Sequence, residues 1–263
     1  PITGAIAKPT RGCGFFVTHR QRPLGTMFNT AGVGVTWPWR KLFGLFSLRY
    51  HNFISNSLAT KKFMENQFDK HSIVIYPPVP THLYSPEYSR KENIVTSIGR
   101  VAPEKRFDLI GVVGPRVPEA KFVLIGDADD VERKTVNTIE EKFKKAGLSD
   151  NFIYLGRVSE LEKRSILQRT KVLFHPAPYE SFGIGIVEGM AAGAIPVAHN
   201  SGAPPEFIGH NNLFVNTQEA AEKIGNALGE NLSARKEMRS AALRFNEERF
   251  KNEILNVVSQ LIS

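Results

Sequence analysis

Residues Tyr179 to Ile208, YESFGIGIVEGMAAGAIPVAHNSGAPPEFI, constrain the fold more than the rest of the chain together. An apolar run, Lys171 to Pro178, precedes them and has the length of a buried strand. A small-residue stretch then leads through Met190 to Gly193 into a second apolar run, Ala194 to Ala198. The order is strand, tight loop, helix, strand. A helix that starts near Gly183 and Ile184 aims its unpaired first-turn N–H groups beyond the strand end, where anions bind. A phosphate-bearing ligand is the natural guest. Glu180 then sits in the loop at that mouth. Glu188 sits more than one turn into the helix, where a carboxylate can accept two hydrogen bonds from a diol such as ribose. The plain alternative is a solvent-facing pair of glutamates around an ordinary buried helix.

The surrounding pattern repeats this alternation. Strands are expected at Asn93–Ile98, Lys121–Ile125 and Phe152–Leu155, with helices at Arg106–Val113, Val131–Ala146 and Leu161–Arg169. Upstream, Trp39–Tyr50 and Ala59–Phe68 read as helices, and Asn52–Ser55 and Ser72–Tyr76 as short strands. Residues Gln218 to Ser263 are helical in pattern almost throughout. Short β-rich runs alternating with helices predict an α/β fold with a parallel sheet covered on both faces. Ligands in such sheets bind beyond the carboxyl ends of the strands. Pro77, Pro78, Pro80 and Pro86 mark the best connector between the front of the chain and the regular part.

The loops at those carboxyl ends converge on one kind of ligand. Gly99, Arg100 and Lys105 flank a proline-containing turn after the first regular strand. Two cations there could clamp a diphosphate, Arg100 through its fork and Lys105 as a point charge, or be plain surface charges. Gly156-Arg157-Val158 is a glycine turn whose backbone could meet a planar base, and Ser201 to Glu206 closes the last loop.

Other patterns carry less. Gly183-Ile-Gly-Ile-Val-Glu-Gly189 has the wrong glycine spacing for a dinucleotide fingerprint, and no phosphate loop of the Gly-Lys-Ser/Thr type occurs. Asp127 and Asp129 could ligate a metal, but they stand between a strand and a helix, where capping is the better reading. His175 ends a strand beside Pro176 and His199 follows another; either could touch a ligand, but a hydrogen-bonded structural histidine is the better reading. No nucleophilic Ser-His-Asp or Cys-His set is discernible.

Charge is divided unevenly along the 263 residues. Residues 1–90 hold eleven Lys and Arg against three Asp and Glu, and the remainder is balanced, so the whole excess of +8 lies in the front third. Arg11, Arg20, Arg22, Arg40, Lys41 and Arg49 are interleaved there with Phe15, Phe16, Trp37, Trp39, Phe43 and Phe46. This mixture suits an anionic membrane surface or a nucleic acid, or is a soluble basic face over core aromatics. No RNA-binding signature, helix-turn-helix or zinc finger supports nucleic acid. No run approaches the ~20 apolar residues of a membrane span, and no signal peptide is visible after Pro1, as expected of a trimmed or partial chain. A lone cysteine, Cys13, excludes an internal disulfide and a Cys-based zinc cluster and fits a reducing compartment.

These residues together resemble glycosyltransferase family 4 of the two-Rossmann, GT-B type. Glu180-x-Phe182-Gly183 through Glu188 matches its paired-glutamate motif, and Gly99-Arg100 with Lys105 matches its diphosphate clamp. The match runs from about residue 93 to 210. FGIGIVEGMAAG and AHNSGAP are similar to the branch that adds α-1,2-mannose to dolichol-linked oligosaccharide. Asn56-Ser57 and Ile75-Tyr76-Pro77-Pro78 fit it more loosely.

The resemblance implies a retaining, metal-independent transfer from a nucleotide-diphosphate sugar, GDP-mannose being favoured, to a lipid-linked or other saccharide. It needs no further cofactor. Arg100 and Lys105 would stabilise the departing diphosphate, with backbone amides near Phe182, Gly183 and Ile184. Glu188 would hold the ribose, Glu180 the donor sugar, and Val158 would meet the base through its backbone. No carboxylate need act as nucleophile, so the glutamates are not a hydrolase pair. A non-catalytic sugar-nucleotide-binding module is the alternative. The expected organisation is a partial acceptor-side domain (1–85), a Rossmann-like donor domain (86–246) and a terminal helix (247–263) crossing back to the front. The front is too short for a second Rossmann domain. Gly12-Cys-Gly14 and Gly32-Val-Gly34 are at best remnants of its glycine loop, and His19 and His51 are candidates for its histidine by location only. The implied location is cytoplasmic and peripheral to a membrane face.

Overall fold

The computed structural model describes residues 53–262. The basic aromatic front to residue 49, the helix expected at Trp39–Tyr50, Cys13, both glycine pairs, His19 and His51 lie outside the described residues. The elements are β1 (Ile54–Ser55), α1 (Leu58–Phe68), β2 (Ile73–Val74), β3 (Glu92–Ile98), α2 (Ile110–Val113), β4 (Lys121–Ile125), α3 (Arg133–Lys145), β5 (Phe152–Gly156), α4 (Glu160–Arg169), β6 (Thr170–His175), α5 (Ile184–Ala191), β7 (Ile195–His199), β8 (Leu213–Phe214), α6 (Thr217–Gly229), α7 (Leu232–Leu243) and α8 (Glu247–Ile262).

Strands β3 to β8 form one six-stranded sheet in the order β5-β4-β3-β6-β7-β8, every pair parallel. This is the doubly wound order in which the chain builds outward from β3, returns, and builds outward from β6 on the other side. Residues on each strand alternate between two apolar layers. Val95, Phe122, Leu124, Val172, Phe174, Ile195 and Val197 belong to one cluster with residues of α2, α3 and α6. Leu173 and Ala198 belong to another with α5 and α7, and Ile94, Val123 and Ile125 pack with Ile166 of α4. Burial on both faces is what parallel strands require.

The α5 helix is seated closely on the sheet. A Cβ on Gly189 would stand 2.9 Å from Leu173 Cδ1, and one on Gly185 3.5 Å from the Ile98 side chain, so the helix begins over the end of β3. Its end is a Schellman closure: Gly193 has φ +80°, Ala194 N–H donates to Gly189 O at 2.9 Å and Gly193 N–H to Met190 O at 2.9 Å.

The structure departs from expectation in one helix, adds one short strand, and packs the proline connector. The helix expected at Arg106–Val113 is a chain of 3-10 turns around a four-residue α2, because Arg106 is left-handed (φ 51°) and Pro103 and Pro115 interrupt the ladder. The two residues of β8, too few to show a pattern, extend the sheet edge. The proline stretch is a packed strap: Val79 and Tyr84 are fully buried, and Val79 N–H donates to Phe245 O at 2.8 Å.

The strap is fastened at its start. Arg249 of α8 donates to Tyr76 O at 2.9 Å and Pro77 O at 3.3 Å. The Glu206 carboxylate accepts Leu58 N–H at 2.9 Å, Ala59 N–H at 2.8 Å and the Tyr76 hydroxyl at 2.8 Å. Those amides open α1, so the carboxylate completes a helix start whose Ser57 side chain already caps Thr60 N–H. Burial, then the Glu206 bond, pushes the Tyr76 hydroxyl up to about 12. Among the described residues no helix is long and apolar enough to cross a membrane.

Gly189→Leu should lift α5 from β6 and lower stability by about 1–3 kcal/mol through overpacking. The urea unfolding midpoint of the purified variant checks this, and an unchanged midpoint would contradict the close seating.

Candidate donor-binding site

The order of the strands reverses between β3 and β6, the point beyond whose carboxyl ends a parallel sheet of this kind offers a ligand crevice. Two loops meet at it, one from Gly99 to Lys105 and one from Pro176 to Gly183. The first is pressed against its neighbour. A Cβ on Gly126 would stand 1.9 Å from Gly99 O, and Val101 N–H donates to Asp127 O at 2.8 Å. Gly99 and Gly126 both carry φ of +149°, which glycine supplies without strain. Lys105 ends a 3-10 turn there and reaches across to Glu180.

Glu180 is the centre of the second loop. Its Oε2 accepts from Lys105 Nζ and lies 3.0 Å from His175 Nε2; its Oε1 accepts Ser181 N–H at 3.1 Å. Its side chain is 11% exposed. Burial pushes this carboxyl up, but His175 and Lys105 outweigh it and hold the group well below the usual carboxylate range. The backbone is held as tightly. Ala203 N–H donates to Glu180 O at 2.8 Å, and a Cβ on Gly202 would stand 2.3 Å from that oxygen. Only glycine allows this approach of the Ser201–Glu206 loop. Tyr179 takes a left-handed φ of 55°, and its N–H is received by Ser201 Oγ at 2.9 Å.

Beyond Glu180 the chain turns into α5. Phe182 buries its ring among Tyr76, Phe207 and Phe245, with centroids 5.2 Å from Phe245, so only its backbone faces the loop's business. Gly183 is the N-cap residue with φ 97° and no side-chain hydrogen bond; Ile186 N–H donates back to Gly183 O at 2.9 Å, which leaves the Ile184 and Gly185 N–H groups at the helix start without a helical partner. Ile184 is the exposed residue at that start. One turn on, Glu188 lies on the same helix face, buried. Lys163 of α4 donates to its Oε1 at 2.8 Å and also pairs with Glu160 at 3.0 Å. Burial lowers the affinity of Lys163 for its proton, but the two glutamates reverse this and raise it. Burial, then the Glu188 charge and hydrogen bond, pushes the Tyr84 hydroxyl above the normal tyrosine range.

Arg100 is not brought to this group. Its guanidinium pairs with Glu104 at 3.0 Å and with Glu132, at the start of α3, at 3.3 Å. Val158 packs on the cluster that contains Ile166, and together with Leu155, Arg157, Glu162 and Ser165 these two line a cavity of about 310 Å³ beside α4. A second cavity, of about 430 Å³, lies at the opposite end of β5 against α3. The acidic pair is engaged elsewhere: Asp127 pairs with Arg157 at 2.6 Å, and Asp129 caps the α3 approach by accepting Val131 and Glu132 N–H at 2.9 and 2.8 Å. His199 hydrogen-bonds Ser201 Oγ at 2.8 Å, and burial, then Arg106, makes it harder to protonate. His175, read as a structural histidine, is hydrogen-bonded to the candidate carboxylate itself. Lys163 and Tyr84 escaped sequence reasoning, because nothing local marks a lysine or a tyrosine as the partner of a distant glutamate.

The family described as "Glycosyl transferases group 1" matches residues 85–245. The chain is 30% identical over 224 residues to the GDP-Man:Man(3)GlcNAc(2)-PP-Dol alpha-1,2-mannosyltransferase of Dictyostelium discoideum, covering 76% of this chain. It spans 44% of that relative's length. Among solved structures it is similar to a sucrose-phosphate synthase from Thermosynechococcus elongatus, with TM-score 0.81 and 17% identity over 94% of this chain and 67% of that one. It is also similar to Anabaena Alr3699/HepE in complex with UDP-glucose, with TM-score 0.77 and 19% identity over 94% and 72% of the two chains. The α/β architecture expected from the alternating pattern is thus the GT-B fold of these neighbours.

The Glu180 contacts set a pH dependence. A carboxylate held ionised in the folded state contributes stability that is complete above its unfolded value, about 4.3, and drains as pH falls below it. Glu180→Gln should therefore flatten the fall in unfolding midpoint between about pH 5 and pH 3 relative to the parent chain. Equal slopes in a pH series of urea melts would contradict the assigned contacts.

Proposed function

The chain belongs to the glycosyl transferases group 1 family, and from that premise we propose that it is the donor-binding part of a retaining glycosyltransferase. It moves a sugar, mannose being favoured, from a nucleotide diphosphate to a lipid-linked or other saccharide. The observation that carries this reading is the meeting of Lys105, Glu180 and the uncapped start of α5 at the point where the strand order reverses. The likeness to a GDP-mannose-dependent relative supports guanosine as the base and a dolichol-linked glycan as the acceptor. The basic, aromatic residues before position 50 suit an anionic membrane face beside such an acceptor.

The geometry suggests how the parts work. The diphosphate lies over the first turn of α5, where N–H groups and the helix dipole favour negative charge. Lys105 moves from Glu180 to one phosphate oxygen, and Arg100 exchanges one of its carboxylate partners for another phosphate oxygen. As the bond from the sugar to the phosphate breaks, the new bond forms on the same face of the ring. The acceptor's proton passes to the departing phosphate. Lys105 and Arg100 lower the barrier by meeting charge that grows in the transition state. Glu180 receives sugar hydroxyls, Glu188 receives the ribose diol, and the Val158 backbone meets the base. With cations and helix amides supplying the charge compensation, no metal is required.

Labelled GDP-mannose incubated with a dolichol-linked oligosaccharide acceptor should yield a mannosylated lipid, and excess chelator should leave the rate unchanged. Binding of the nucleotide-sugar without transfer would favour a non-catalytic module, and loss of activity in chelator would return Asp127 and Asp129 to consideration as ligands. Glu188→Ala should weaken calorimetric binding of GDP about tenfold or more, since a carboxylate's hydrogen bonds are worth about 1.5–3 kcal/mol. Unaltered affinity would remove the ribose role.

A further inference from the structure

Glu180 has a partner that the donor reading does not call for. His175 is the last residue of β6, is buried, and its Nε2 lies 3.0 Å from Glu180 Oε2, the oxygen that also receives Lys105. An ionised carboxylate only accepts, so His175 must present a proton at Nε2. The two donors on this oxygen differ in kind. Lys105 is a flexible ammonium on the far side of the crevice, with a side chain 28% exposed. His175 stands on a strand end in the middle of the sheet with a side chain 6% exposed, and it cannot follow a ligand.

We propose that His175 is a positioning residue for the sugar of the donor: it fixes Glu180 Oε2 when Lys105 leaves that oxygen for the diphosphate. The two donors then act in sequence. In the free protein both hold Glu180. With the diphosphate in place Lys105 is drawn away, one position on Oε2 is vacated, and a sugar hydroxyl takes it. Without His175 only the Ser181 N–H on Oε1 would hold the carboxylate at that moment; Oε2 would be unfixed, and the hydroxyl would meet a mobile acceptor. This inference rests on the reading of Glu180 as the carboxylate that holds the donor sugar.

The test separates the sugar from the nucleotide. Calorimetric titrations with GDP-mannose and with GDP are made on the 263-residue chain and on His175→Leu, His175→Gln and Glu180→Gln. His175→Leu should bind GDP-mannose about tenfold more weakly while binding GDP as before, the loss expected for one charge-assisted hydrogen bond. His175→Gln, whose amide nitrogen can donate from a similar place, should recover most of that loss. Equal weakening of both ligands in His175→Leu, or no weakening of either while Glu180→Gln loses the sugar contribution, overturns the proposal. So does a His175→Gln chain that behaves like Glu180→Gln, which decides the matter should His175→Leu fail to fold. If Glu180→Gln itself keeps the full difference between GDP-mannose and GDP, the assignment of Glu180 falls and His175 falls with it.

Discussion

A strand, a crossover and a parallel strand in one sheet wind right-handed, and this rule does most of the work of placing the site. Chain that grows outward from β3 through β4 to β5 must put its helices on one face. Chain that returns to β6 and grows the other way must put them on the opposite face. At the reversal, the loops after β3 and β6 leave in different directions and cannot close over each other. The crevice follows from connectivity, and the residues that follow these two strands inherit it. The glycines at positions 185 and 189 then let α5 lie flat enough on β3 and β6 for its first amides to open into that space.

The charges in the crevice are already compensated. Lys105 is on Glu180, Arg100 is on Glu104 and Glu132, and Lys163 is on Glu188 and Glu160. A carboxylate removed from water is costly unless paired, and His175 and Lys105 keep Glu180 ionised in a buried place. An entering diphosphate brings its own negative charge and so can replace a carboxylate as the partner of a cation. On the proposed reading each exchange trades one ion pair for another. Binding then need not begin by stripping water from bare charges.

The sequence was legible where the physics is local. Apolar runs at β3, β4, β6 and β7 and the helical stretches between them specify a parallel sheet, and the small residues of GMAAG announce a helix pressed on a strand. Glu180 and Glu188 could be named because their spacing on a loop and a helix is itself a local fact. The rest depends on contacts between residues far apart in the chain. Lys163 meets Glu188 from 25 positions away, and Lys105 meets Glu180 from 75. Arg100 and Lys105 sit five positions apart and looked like a pair, yet the left-handed turn at Arg106 and the acidic start of α3 send them to different partners. His175 looked structural because a histidine at a strand end gives no hint of which carboxylate it faces.

The Glu206 carboxylate binds the first amides of α1 and the Tyr76 hydroxyl, and its loop carries Gly202, which backs the Glu180 carbonyl. One short segment therefore touches α1 at one end and the catalytic candidate at the other. If α1 tilts against the sheet, it must either let go of Glu206 or tug on that segment. Glu206 thus ties the start of α1 to the loop that backs Glu180, with a single carboxylate as the knot.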